Sequence, residues 1–198
     1  MTDRRAERGE ATRRHLVATA TRLFAERGYE ATPIELVLAE ARVSRGALYH
    51  HFASKEALFE AALDATQAGV AAAVRDAARR AADPLGALRA GCATWLALAR
   101  DPAVRRIVLL DAPGVVGWER WREIDQRHSL GAVMASLRAL ANEGRLPRAL
   151  VDVHAHVLLA GLTEVALLIA RAEDPEVATE RGEAVVARLL SGLVGDGG

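Results

Sequence analysis

Cysteine, aromatic residues and lysine are all scarce in this chain of 198 residues. Cys92 is the only cysteine, which rules out a disulfide within the chain and favours a reducing, cytoplasmic location. Aromatic residues make up 4% of the chain, whereas alanine and leucine are abundant, so helices are favoured over β-sheet. Lys55 is the only lysine among 26 basic residues.

The chain also lacks an excess of charge, because 26 basic residues are balanced by 26 acidic ones. A purely architectural DNA-binding protein, the main alternative reading, would be expected to carry a basic field. No glycine-rich phosphate loop, nucleophile elbow or paired-cysteine zinc motif is present, which argues against an all-α enzyme. We therefore expect no catalytic residues, no metal and no cofactor. The N-terminus is charged, so no secretory signal is expected.

One apolar run, residues 151–170, is long enough to span a membrane. It carries Asp152, His154, His156 and Glu164, which argues against spanning and predicts a soluble protein with no membrane partner. His154 and His156 diverge by about 200° on a helix and cannot chelate one ion together. Asp152 and His156 are four residues apart, so they are expected to pair on one face.

Capping residues followed by proline mark the starts of helices. Such pairs are Thr32-Pro33, Asp83-Pro84, Asp101-Pro102 and Asp174-Pro175. Together with glycine stops they predict about nine helices and no strand, an all-α fold. Residues 1–53 are predicted to form a three-helix DNA-binding domain. Residues 54–198 are predicted to form a larger helical body for ligand binding and dimerisation, entered by a long helix that reaches about Arg80.

Residues 43–59 are the most informative stretch. Ser44 and Ser54 are natural N-caps only ten positions apart, so the helix between them is very short. Leu48 and Phe52 share its inward face, while other side chains point away from the core. The outward residues are Arg45, Gly46, Tyr49 and His50. A helix this short has little stability of its own, and its donors indicate a helix-turn-helix DNA reader.

Several motifs in order resemble the tetracycline-repressor (TetR) family over roughly residues 10–60. They are Phe24-Ala25-Glu26-Arg27-Gly28-Tyr29, Thr32, the run from Val43 to Phe52, and Ser54-Lys55-Glu56-Ala57-Leu58. The resemblance implies a cytoplasmic transcriptional regulator, expected to be a repressor. It also implies a homodimer on a palindromic operator in double-stranded DNA, and a small-molecule effector that controls DNA affinity.

The resemblance also assigns roles to single positions. Arg45 and Gly46 would approach base edges in the major groove, with Ala47 nearby. Tyr49, His50 and Lys55 would hold phosphates, and Thr32 would contact a phosphate from the second helix. The full predicted DNA-binding set is Thr32, Ser44, Arg45, Gly46, Ala47, Tyr49, His50 and Lys55.

Three positions depart from the family pattern. Arg42 replaces a glycine usual in the turn, so a non-glycine residue is expected to take a positive φ. Ala47 replaces a common threonine and offers a methyl group suited to thymine. Glu35 stands where the family often has a basic residue, and a capping role is favoured over cytosine readout.

In the body, tryptophans and polar neighbours suggest a pocket for a mostly apolar effector. The proposed lining is Trp95, Trp118 and Trp121, with Asp125 or His128 as polar anchors; the alternative is that the tryptophans only fill the core. A four-helix dimer interface is predicted from apolar stripes on the last two helices. Its residues are Leu158, Leu162, Val165, Ile169, Val185 and Leu189.

Overall fold

The computed structural model describes residues 2–193, and within this range the chain forms helices joined by short turns without a β-strand. The nine α-helices of this range are α1 (Thr2–Arg27), α2 (Ile34–Ala41), α3 (Arg45–His51), α4 (Lys55–Arg79), α5 (Pro84–Leu98), α6 (Ala112–Val115), α7 (Trp118–Asn142), α8 (Val151–Arg171) and α9 (Pro175–Leu193). A π-helix, Val104–Asp111, precedes α6, and a 3₁₀ turn, Arg148–Leu150, precedes α8. The predicted all-α class and helix number are confirmed.

The chain divides into two compact units. Unit 1 comprises Met1–Thr66 and Pro102–Trp121, and unit 2 comprises Gln67–Asp101 and Arg122–Gly198. Helices α4 and α7 each contribute residues to both units. The domain boundary predicted from the sequence lies between residues 53 and 54, directly after the helix-turn-helix. That boundary remains a prediction.

Unit 1 is built on an aromatic cluster. The Phe59 ring lies 5.1 Å from the rings of both Phe24 and Tyr29, edge-on in each case. The rings of Phe24 and Tyr29 are 5.9 Å apart, as expected if Tyr29 folds back after the glycine that ends α1. That glycine, Gly28, has a φ of +82°, which residues with side chains rarely adopt, and a Cβ there would lie 2.2 Å from Nη2 of Arg106 and force the guanidinium to move.

The π-helix holds this corner of unit 1. Asp111 accepts a hydrogen bond of 2.8 Å from the backbone N–H of Tyr29. The same carboxylate lies 3.4 Å from Nε of Arg106, the side chain that packs over Gly28. The segment Pro102–Trp121, which follows α5, is therefore part of unit 1 and supports its N-terminal helices. The domain division predicted from the sequence assigned this segment to the helical body.

Unit 2 is an apolar helical core in which α5, α8 and α9 pack on one another. Its α8 and α9 approach closely at Gly182, where a Cβ would come within 2.7 Å of the Val165 side chain. Two segments, Lys55–Arg79 and Arg148–Arg171, are long and apolar enough to cross a membrane by length and composition alone. In the second of these, Leu158, Leu162 and Ile169 are buried inside unit 2.

Candidate functional site

The tight turn between α2 and α3 depends on a left-handed residue. Arg42 has φ +54° and ψ +42°, so the positive φ predicted there is confirmed. The N–H groups of Arg42 and Val43 turn back to the carbonyl oxygens of Ala39 and Leu38, at 3.3 and 3.2 Å. This pattern satisfies the end of α2, although a non-glycine residue in this conformation costs about 1–2 kcal/mol.

Helix α3 begins at a capping serine and is anchored by its inward face. The Ser44 hydroxyl accepts a hydrogen bond of 3.2 Å from the N–H of Ala47. Leu48 and Phe52 are buried, and the Arg13 guanidinium lies 5.4 Å above the Phe52 ring. These contacts give a seven-residue helix the support that it lacks alone.

The outward side of α3 presents most of the predicted DNA-binding residues. Those exposed to solvent are Ser44, Arg45, Gly46, Tyr49 and His50, whereas Ala47 and Lys55 are half-buried. The ammonium of Lys55 lies 4.0 Å from the centre of the Tyr29 ring, a cation–π contact that restrains this lysine. The fold therefore brings together seven of the eight predicted residues at one surface of unit 1 or at its border.

Thr32 is the exception, and the structure corrects its assignment. It is 0% exposed. Its hydroxyl donates to the Gly28 carbonyl at 2.7 Å, and its N–H donates to that of Tyr29 at 3.2 Å. Both of its donors are used inside unit 1, so neither is available to a phosphate in this conformation.

Glu35 does not close the expected capping box either. Helix α2 starts at Ile34, and its N-cap residue Pro33 makes no side-chain cap. The Glu35 carboxylate instead accepts a hydrogen bond of 2.5 Å from Arg45. The pKa of Glu35 is lowered by the hydrogen bond that its carboxylate accepts from its own backbone N–H and by the one that it accepts from Arg45. Glu35 and Arg45 are ten residues apart and meet only because the turn at Arg42 brings the starts of α2 and α3 together. The sequence alone therefore does not reveal this pair.

Unit 2 contains a cavity of about 670 Å³ whose walls come from α4, α5, α7 and α8. Three of the predicted pocket residues, Trp95, Asp125 and His128, line it. The Trp95 indole donates a hydrogen bond of 3.3 Å to the Leu162 carbonyl, which fixes its ring in the wall. Most of the remaining lining is alanine, valine, leucine and glycine.

The other two tryptophans do not line this cavity, which corrects that part of the expected pocket. Trp121 is buried in unit 1 and donates a hydrogen bond of 2.8 Å to the Val108 carbonyl. Trp118 is 54% exposed, with its ring 4.8 Å from that of Trp121. The two rings therefore pack on each other in unit 1, outside the cavity.

A polar pair inside the cavity was missed from the sequence. Gln67 is 2% exposed and donates a hydrogen bond of 3.1 Å to a carboxylate oxygen of Asp125. Burial raises the pKa of Asp125, against smaller lowering effects from Gln67, Arg122 and His128. A signal existed in the sequence, because Gln67 interrupts the buried stripe that contains Leu63 and Val70.

Comparison with known families assigns the chain to one of them. The family described as bacterial regulatory proteins, tetR family, matches residues 16–62. The tetracyclin repressor-like, C-terminal domain matches residues 85–193, more than half of the chain. The protein belongs to the TetR family.

Similar proteins agree with this assignment over most of the chain. A TetR-family transcriptional regulator from Pectobacterium atrosepticum is 32% identical, with a TM-score of 0.85 over 96% of this chain and 97% of that one. The transposon Tn10 TetC protein of Escherichia coli is 26% identical over 161 residues, 81% of each chain. The A-factor receptor protein of Streptomyces griseus is 46% identical over 57 residues, which span only 21% of that protein.

Membership of the TetR family makes this chain a DNA-binding transcriptional regulator rather than an enzyme. A relative named as a repressor, KstR2 of Mycobacterium tuberculosis, is 37% identical over 87 residues, 44% of each chain. Dimerisation and small-molecule binding are typical of TetR regulators.

The predicted dimer residues of this TetR-family chain fall into two groups. Leu158, Leu162 and Ile169 are buried within unit 2, and Val165 packs on Gly182, so these four face the protomer's own core. Val185 and Leu189 on α9 are exposed. The exposed apolar residues of α8 are Val153, Val157 and Leu168. The stripe predicted from the sequence, through Leu158 and Leu162, is therefore offset from the exposed stripe through Val157 by about one residue, or 100° around the helix axis.

Proposed function

We propose that this TetR-family regulator is a ligand-responsive repressor that binds a palindromic operator as a homodimer in the cytoplasm. The observation that carries the proposal is the outward side of α3, where Arg45, Tyr49 and His50 are exposed on a helix anchored by its inward face. Short rigid helices of this kind enter the major groove in helix-turn-helix proteins.

Specificity is proposed to come from Arg45 and the backbone beside it. A guanidinium can bond both acceptors of a guanine edge, and Gly46 allows close approach because it carries no side chain. In the free protein Arg45 is held by Glu35, so binding requires the guanidinium to leave or share that carboxylate. Tyr49, His50 and Lys55 are proposed to contact phosphates and to set the register of α3.

Dimerisation is proposed to use the exposed apolar residues of α8 and α9. Val153, Val157 and Leu168 lie on one helix, and Val185 and Leu189 on its neighbour. A twofold mate that presents the same two stripes would complete a four-helix interface. Two copies of α3 would then reach half-sites about 34–36 Å apart.

The effector is proposed to bind the unit 2 cavity. Helix α4 starts at Lys55, beside the proposed DNA-contacting residues, and lines the cavity from Gln67 onward. A ligand that prefers one position of α4 would shift the protein between DNA-binding and non-binding forms.

The test is a gel shift with DNA from upstream of the protein's own gene, scanned for a palindrome. A regulator is expected to shift DNA that contains one short palindrome, and to bind it at least a thousandfold more tightly than unrelated DNA at the same salt concentration. Equal, salt-sensitive binding to any DNA would support an architectural protein instead and would contradict the proposal.

A further inference from the structure

We infer that the effector is an elongated hydrophobic alcohol or phenol whose hydroxyl binds the Gln67–Asp125 pair, a conclusion that rests on the proposed function. The inference starts from the shape of the cavity. Its lining runs along α4 from Gln67 to Arg79 and along α7 from Asp125 to Ser136. At 1.5 Å per residue these stretches are about 16–18 Å long, so the cavity is elongated.

The polar pair lies at one end of this length. Gln67 and Asp125 are the first cavity residues of their helices, and their side chains are joined by the 3.1 Å hydrogen bond. Next along α4 come Val70, Ala71 and Val74, so the wall beyond the pair is apolar. A ligand that fills the cavity must therefore be polar at this end and hydrophobic along its length.

The donors and acceptors of the pair match a hydroxyl group. The Gln67 amide has two hydrogens, of which one is donated to Asp125. The second can be donated to a ligand oxygen, while the carboxylate can accept a ligand O–H. A hydroxyl both donates and accepts, whereas an ammonium only donates and a carboxylate only accepts.

Charge also argues against an amine at this position. The charged lining contains Arg75, Arg79 and Arg127, and Asp125 is its single acid among the described residues. Arg122 and His128 add positive potential at the Asp125 carboxylate. Arg79 and Arg127 are paired with Asp76 and Glu123, so the positive groups that act at the pair are Arg122 and His128. An ammonium group placed there would lie near them and could not accept the second Gln67 hydrogen, which lowers its affinity relative to a neutral hydroxyl.

A carboxylic acid is disfavoured for a different reason. All three arginines of the lining are exposed, so a ligand carboxylate would exchange water for solvated ion pairs that contribute little. If the carboxylate paired with Arg75 or Arg79, its hydrocarbon end would face Gln67 and Asp125 and remove water from them without replacing their hydrogen bonds. If it lay at the pair instead, it would meet the like charge of the Asp125 carboxylate, and neither group has a hydrogen to donate to the other. The hydroxyl avoids both losses.

Three probes with the same chain length separate these chemistries: 1-decanol, decylamine and decanoic acid. Isothermal titration calorimetry on the full-length protein is expected to give one decanol site per chain, bound about tenfold more tightly than either other probe. Tighter binding of the amine or the acid would overturn the inference, as would absence of binding by all three.

Variants locate the hydroxyl. Gln67→Leu and Asp125→Leu should each weaken decanol binding about tenfold, while Asp125→Asn, which keeps an acceptor, should stay within about threefold of wild type. Thr66→Ala is the matched control, because it removes a hydroxyl next to Gln67 that is bonded to the Ala62 carbonyl and does not line the cavity. Thermal unfolding followed by circular dichroism identifies folded variants, and unchanged decanol affinity in folded Gln67→Leu would overturn the inference.

A DNA-binding assay in parallel separates this inference from the proposed function. Decanol that binds at the pair but leaves operator affinity unchanged supports the ligand class and contradicts ligand-responsive repression. Operator binding without any decanol site supports the DNA-binding role and contradicts the ligand class.

Discussion

The two units of this regulator place their polar groups in opposite ways. In unit 1, Arg45, Tyr49 and His50 are exposed on a helix whose inward face is buried. In unit 2, Gln67 and Asp125 lie inside an apolar cavity, whereas the solvent side of α8 carries valine and leucine. Reading DNA requires long, solvated side chains, but recognising a small molecule or a second subunit requires groups removed from water.

This contrast has an energetic consequence. Ion pairs on the surface of unit 1, such as Arg45 with Glu35, are worth little and can be exchanged for DNA contacts. The Gln67–Asp125 pair in unit 2 lines a cavity that a ligand would fill, so a ligand that displaces water from the pair without replacing its hydrogen bonds loses affinity. Changes in unit 1 should therefore alter affinity for DNA, and changes in unit 2 should alter assembly and ligand choice.

The largest expected effect is loss of the dimer in Val157→Glu. Val157 is 63% exposed in the protomer, so the glutamate leaves the core intact but places a charge in the proposed interface. A monomer would keep one α3 on DNA, and operator affinity should fall on the order of a hundredfold with the loss of bivalency.

Light scattering and fluorescence anisotropy measure the two changes. Ala72→Glu, at an exposed position of α4, is the matched control and should remain dimeric with wild-type affinity. A dimeric Val157→Glu protein would show that a different surface forms the interface.

The next effect concerns the surface of unit 1. Arg45→Ala should cost about 1–3 kcal/mol per contacted base and flatten the base preference at one operator position in each half-site. Lys55→Ala is the comparison variant, because loss of one phosphate contact per protomer should weaken binding to all sequences and reduce the salt slope by about 2. Binding to a library of operator variants distinguishes them, and wild-type behaviour of both variants would exclude α3 from the groove.

A smaller effect is expected where the π-helix supports the end of α1. Asp111→Ala removes the charged acceptor of the Tyr29 N–H and the partner of Arg106, and should lower the free energy of unfolding by about 2 kcal/mol. Asp111→Asn keeps an acceptor and should lose less. Urea unfolding gives both values, and equal stability of Asp111→Ala and wild type would mean that this contact does not support unit 1.

The two units also differ in how much of them the sequence predicted. The helix-turn-helix was predicted in detail because its signals are local: the Ser44 cap, the i, i+4 pair Leu48 and Phe52, and the turn at Arg42. Thr32 was assigned wrongly, because its burial depends on packing around Gly28, where its hydroxyl donates to the Gly28 carbonyl. Long-range packing of this kind has no signature in a short motif.

In unit 2 the helices were predicted, but their contacts were not. Fifteen of the twenty residues from 151 to 170 are apolar or glycine, so the helix has no polar side that would fix its orientation. The stripe through Leu158 and Leu162 was therefore chosen over the exposed one through Val157. Trp118 and Trp121 were grouped with Trp95 by residue type, although the chain path assigns them to unit 1.

The smallest expected effect is the pH dependence of stability in Asp125→Asn. Burial raises the pKa of Asp125 above its ordinary value of 3.8, so the folded state favours the protonated acid. The stabilisation from this preference is fully present below the unfolded pKa and is lost as the pH rises through the folded one.

Asparagine resembles the neutral form of Asp125 and can still accept a hydrogen bond from Gln67. Asp125→Asn should therefore match wild type in acid and become more stable than wild type as the pH approaches 7. Melting temperatures from pH 4 to pH 7 measure the difference, with Glu180→Gln, an exposed position of α9 away from the proposed interface, as control. A difference that stays constant or shrinks with rising pH would mean that the cavity leaves Asp125 as well hydrated as a surface acid, and the contrast between the two units would not extend to this residue.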